Sequence, residues 1–131
     1  MPLELRNPAE LSTPESYTHV ISATGSRLVF VAGQVADDAD GNLVGPGDLA
    51  AQARVAFANV GRALASAGAA PEHVAKLTIY VVHHRVEYLA DISAARVAVF
   101  GDHKPTDTLV GVEALAEPGY LIEVEAIAVL D

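Results

Sequence analysis

The sequence predicts an α+β domain in which a mixed sheet carries two helices on one face, in the order ββαβαββ. Three observations lead there. Segments of alternating, β-rich composition lie near both ends and in the middle of the chain, and two segments with apolar residues at helical spacing lie between them. The last strand also has one row that is wholly apolar, as a strand under helices requires.

The length, 131 residues, fits one domain spanning 1–131, with residues 1–15 as a polar lead-in. Tyr17 to Ala23 reads as a strand, and Gly25-Ser26 as the turn into a second, Arg27 to Ala36, which together predict a hairpin. The acidic run Asp37 to Asn42 resembles a calcium loop, but the EF-hand alignment puts Ala36 and Gly47 where carboxylates are obligatory, so an Asp-Gly-Asn turn explains it. Asp48 caps a helix that runs to about Ala67 and stops at Gly68, with Leu49, Ala53, Phe57, Val60 and Leu64 on one face. Lys76 to His84 is the next strand, followed by a helix over Glu87 to Phe100 with Leu89, Ile92 and Val99 inward and Gly101 as its stop. Thr108 to Leu115 and Leu121 to Leu130 complete the sheet across a turn at Glu117-Pro118-Gly119.

Composition narrows the chemistry. With no Cys, thiol catalysis, thiolate zinc and iron–sulfur clusters are excluded. Seventeen acidic residues against eight basic ones give a net charge of −9, which repels phosphate backbones, so no nucleic-acid partner is expected. No apolar run approaches a bilayer span, the best being LVFVAGQVA, and the N-terminus lacks a secretion signal, so the expectation is a cytoplasmic protein with no membrane partner. An apolar content of 51% is high for a small acidic chain and suggests burial between subunits.

Site motifs are sparse. His83 and His84 are strand neighbours pointing to opposite faces, and no His spacing suits a metal. Phosphate-binding glycine loops and serine elbows are missing from the sequence. On the last strand Ile122, Val124, Ala126, Ala128 and Leu130 form the apolar row, and Glu123 and Glu125 share the opposite face, about 6 to 7 Å apart. By spacing alone these are either two solvated glutamates or part of a subunit-interface cleft in which one handles protons.

Val31-Ala32-Gly33-Gln34-Val35, the Ala51-Gln52-Ala53-Arg54 to Asn59-Val60 helix, Lys76 to Val81, and the ending from Pro105 through Val110-Gly111-Val112 to Ile122–Val129 resemble the RidA/YjgF (Rid) family. The resemblance runs from Tyr17 onward. It implies a chorismate-mutase-like homotrimer with three clefts between subunits, each taking a small-molecule ligand. It also implies cofactor-free hydrolysis of 2-imino or enamino acids to keto acids and ammonia. Carried over by position, Glu123 matches the water-orienting glutamate, Gly33 the glycine of the cleft strand and Tyr17 the cleft tyrosine.

Two positions depart from that pattern. Pro105 is followed by Thr106-Asp107 where imine-hydrolysing members carry a small residue and then the arginine that grips the substrate carboxylate. Ala32 stands where a serine is common, so the expected substrate-binding set is Tyr17, Ala32, Gly33 and Asp107, with Glu123 catalytic, no metal and no cofactor. The chain is expected to be an atypical member with altered substrate preference, or a non-catalytic trimer binding a metabolite or protein. No other Lys or Arg is assigned to the cleft by the sequence.

Overall fold

The computed structural model describes residues 2–131. Its strands and helices are β1 (Leu3–Arg6), β2 (Val20–Ala23), β3 (Arg27–Gln34), α1 (Leu49–Ser66), β4 (Val74–Val82), α2 (Leu89–Phe100), β5 (Thr106–Val112) and β6 (Ile122–Leu130). The four-stranded sheet has the order β3-β6-β4-β5, with β6 antiparallel to both neighbours and β4 parallel to β5. That parallel pair needs a crossover, which α2 supplies.

Both helices lie on one face, as the alternation requires. Ile122, Val124, Ala126, Ala128 and Leu130 are buried together with Leu77, Ile79 and Val81 of β4. From above come Phe57, Val60 and Leu64 of α1 and Ile92, Ala95 and Phe100 of α2. Phe57 and Phe100 meet edge to face at a centroid distance of 6.3 Å, the arrangement that ring quadrupoles favour. Asp48 caps α1 by accepting from the Ala51 N–H at 3.0 Å. The Asp-Gly-Asn turn also forms: Asp38 accepts from the N–H groups of Asp40 and Asn42, and the Asn42 backbone bond leads in holding its carboxyl below the ordinary value. Among the described residues no helix is long and apolar enough to cross a membrane.

Four expectations change. The hairpin does not form: β2 pairs with β1, and β3 pairs with β6. Between β2 and β3, Gly25 lets the chain pass close to the end of β6, where a Cβ would fall 2.9 Å from the Leu130 carbonyl carbon. The lead-in thus holds a strand, β1, whose Leu3 is buried although Glu4, Leu5 and Arg6 are exposed. β4 ends at Val82, so His83 and His84 lie beyond it, His83 in the left-handed region at φ 47°. On α2 Leu89 is 45% exposed rather than inward, because a 3₁₀ turn over Val86–Tyr88 precedes the helix and the packed stripe is Ile92, Ala95, Arg96 and Phe100.

One polar side chain ties the layers together. Gln52 on α1 is fully buried; its Nε2 donates to the carbonyls of Gly45 at 3.1 Å and Gly119 at 2.9 Å, and its Oε1 accepts from the Leu121 N–H at 2.9 Å. The helix is thereby joined to the loop before it and to the start of β6, two residues from Glu123. Gln52→Leu takes the partner from the half-buried Leu121 N–H and from the Gly119 carbonyl, which lies at the surface, while the Gly45 carbonyl still accepts from the Asp48 N–H at 3.0 Å, so the cost is about that of one lost buried partner, about 1–3 kcal/mol. Urea denaturation should accordingly show a loss of about 1–3 kcal/mol, and a loss under about 0.5 kcal/mol would contradict this account.

Candidate functional site

The face of the sheet away from the helices presents Glu123. β3 carries a register irregularity between Val31 and Gln34, so Ala32 and Gly33 together stand opposite a single stretch of β6. There the Glu123 side chain lies directly over Gly33, where a Cβ would come within 2.6 Å of its Cδ and 2.8 Å of its Cγ. Gly33 is therefore required by close approach, and the glutamate is half-buried against backbone rather than extended into solvent. Ala32 beside it is exposed.

Glu125, two residues on, has a different environment. It accepts from the Tyr80 hydroxyl at 2.5 Å, and that bond, followed by desolvation and the charges of Glu125 and Glu123, raises the tyrosine above its ordinary value. The two glutamates that share a face are thus not equivalent. Glu125 is engaged by β4, and among the described residues no side chain hydrogen-bonds to Glu123.

Tyr17 and Asp107 lie elsewhere. β5 is an edge strand, and Asp107 pairs in register with Leu77, whose side chain points under the helices. Asp107 therefore faces α2, in a cavity of about 860 Å³ whose lining includes Glu15, Tyr17, Leu89, Arg96, Lys104 and Asp107. Tyr17 precedes β2 instead of opening it. It is placed by buried Thr18, whose N–H donates to the Pro105 carbonyl at 3.2 Å and whose hydroxyl donates to the Lys104 carbonyl.

Within one chain, then, the expected residues form two groups on opposite faces of the same sheet: Ala32, Gly33 and Glu123 on the open face, Tyr17 and Asp107 on the helix side. The cavity also holds cations that the sequence did not assign to it, Arg96 and Lys104. Arg96 is only 4% exposed, and its Nη1 is buried with no hydrogen-bond partner among the described residues. Its signal in the sequence is its place four residues after Ile92, an arginine on the inward stripe of an amphipathic helix. Burial raises the Asp107 carboxyl above its ordinary value, and the charge of Arg96 draws it part of the way back.

Comparison with known proteins places the chain in a family. The profile of the family described as Endoribonuclease L-PSP matches residues 8–130. The chain belongs to the RidA/YjgF (Rid) family. The Rid family protein YyfB of Yersinia pestis is similar to it at 38% identity and a TM-score of 0.93, over 99% of this chain and 100% of that one. The YjgF gene product of E. coli shares 30% identity at a TM-score of 0.68, over 79% of this chain and 81% of that one. A RutC family protein of Pyrococcus abyssi is 32% identical across 68% of this chain and 77% of its own.

Two measurements test this Rid site geometry. In a double-mutant cycle, Gly33→Ala should destabilise the wild type and do so less in a Glu123→Ala background, with a coupling of about 0.5–3 kcal/mol by urea denaturation, whereas additive effects would refute the close approach. For Asp107, a raised folded pKa means that the protonated form is favoured by folding, so its contribution to stability falls as pH rises from the ordinary value of 3.8 through the raised one. Asp107→Asn should remove that pH-dependent loss, and parallel stability curves for the two proteins would contradict the burial of its charge.

Proposed function

We propose that this Rid protein is a cofactor-free hydrolase of imines or enamines that works as a homotrimer, with its sites between subunits. The observation that carries the reading is the division of the site residues between two faces of one sheet. A sheet is a barrier that one chain cannot reach around, so a cleft holding Glu123 and Gly33 together with Tyr17 and Asp107 takes them from two copies. The open face supports this arrangement, because Leu28 and Phe30 on β3 are 56% and 70% exposed there, with half-buried Ile127 beside Phe30. Apolar surface of that kind gains from a second subunit.

The chemistry asked of such a cleft is modest. Water adds to the carbon of a protonated C=N bond while a carboxylate takes one of its protons; the resulting carbinolamine expels ammonia as that proton is delivered to nitrogen and the freed carboxylate takes the hydroxyl proton, leaving a neutral carbonyl and passing the last proton to the departing ammonia or to water. Glu123 suits the acceptor role because it is half-buried, seated against Gly33 and not held by a neighbouring hydroxyl as Glu125 is. Tyr17, Ala32 and Gly33 would shape the pocket, and Asp107 would alter substrate preference by putting an anion at the site. The net charge of −9 disfavours a nucleic-acid substrate, and a soluble, cytoplasmic setting suits reactive small metabolites.

Light scattering should give a mass near three times 13.6 kDa, and a monomer would defeat the proposal. On the same preparation, Glu123→Gln should slow ammonia release from freshly generated imines by about a hundredfold or more, while Glu125→Gln should retain most of it. Turnover indifferent to Glu123 would refute its role. Ligand binding without any turnover would favour a non-catalytic binding module.

A further inference from the structure

The cavity between α2 and β5 contains a charge arrangement that the open-face glutamates do not explain. Glu15 and Asp107 oppose Arg96 and Lys104 around it, two anions and two cations in one lining. Glu15 and Lys104 are exposed at its margin, while Arg96 is 96% buried by its 4% exposure and Asp107 is half-buried. Burying a guanidinium costs several kcal/mol unless its donors are used. Here Nη1 is buried without a partner, and Arg96 and Asp107 do not close into an ion pair with each other. The two charges are near enough for Arg96 to act on the Asp107 carboxyl, yet both keep hydrogen-bonding capacity.

We propose that Arg96 and Asp107 form a two-point site for a small zwitterion, Arg96 holding its carboxylate and Asp107 its protonated nitrogen. This deepens the function proposed above and rests on it for the reacting form, a 2-iminium carboxylate, which bears both charges. An unreactive α-amino acid presents the same pair of groups. Arg96 is then the carboxylate anchor that position 107 does not provide, and Asp107 selects the protonated nitrogen instead of repelling the ligand. A ligand with only one of the two groups leaves the other buried charge uncompensated, which is the physical source of selectivity.

Calorimetric titration of the intact protein with L-alanine, propionate and ethylamine tests the site directly. L-Alanine should bind at least about tenfold more tightly than either single-charge probe, the factor expected for one charge-assisted hydrogen bond. Arg96→Met should weaken L-alanine by about tenfold or more. Asp107→Asn should abolish the preference for L-alanine over propionate, a change in ratio that loss of packing alone would not produce. If Arg96→Met fails to fold, the Asp107→Asn ratio decides. Equal binding of L-alanine and propionate by the wild type, or an unchanged ratio in Asp107→Asn, overturns the proposal. Imine turnover is read separately: selective L-alanine binding without turnover keeps the zwitterion site and defeats the hydrolase, whereas turnover with no such selectivity does the reverse.

Discussion

β6 is hydrogen-bonded along both edges, to β3 and to β4, so its register determines what each face of the sheet presents. A shift of one residue would turn its apolar row to solvent and drive Glu123 and Glu125 under the helices, which the cost of burying two unpaired carboxylates forbids. The same alternation is passed sideways: Leu77, Ile79 and Val81 lie beside Ala126, Val124 and Ile122, and Thr78 and Tyr80 lie beside Glu125 and Glu123. Core and open face follow from that one register, whereas Tyr80, paired in register with Glu123, reaches diagonally to bond Glu125.

The sheet then acts as a partition between two kinds of polar environment. On the open side, a backbone irregularity and the lack of a side chain at Gly33 make room for a carboxylate. On the helix side, an arginine and an aspartate line a cavity between α2 and the edge strand β5. A buried guanidinium with an unused donor is rare because it sacrifices stability. Arg96 belongs to the packed stripe of α2 and at the same time lines the cavity, which is where the proposed ligand would meet it.

Buried polar side chains help to hold the segments that bring these groups into position. Gln52 joins α1 to the entry of β6, and Thr18 joins the loop carrying Tyr17 to the start of β5. Both are buried polar residues bonded to backbone carbonyls or N–H groups, the class of interaction that specifies one arrangement of loops where apolar packing alone would accept several.

Local pattern alone determined the helices, the two faces of β6, the Asp48 cap and the distinction between the apolar row and the glutamate row, because each depends on side-chain periodicity along a single element. The motifs also sufficed to identify the family and to single out Gly33, Glu123 and Asp107. Tertiary structure decided the partners. That β2 pairs with β1 while β3 pairs with β6 is a long-range choice, and the different environments of Glu123 and Glu125 depend on Tyr80, 45 residues before its partner. Arg96 and Asp107 belong to different elements with no shared period, so their meeting in one cavity is a property of how α2 packs over the β5 edge, which no local pattern encodes.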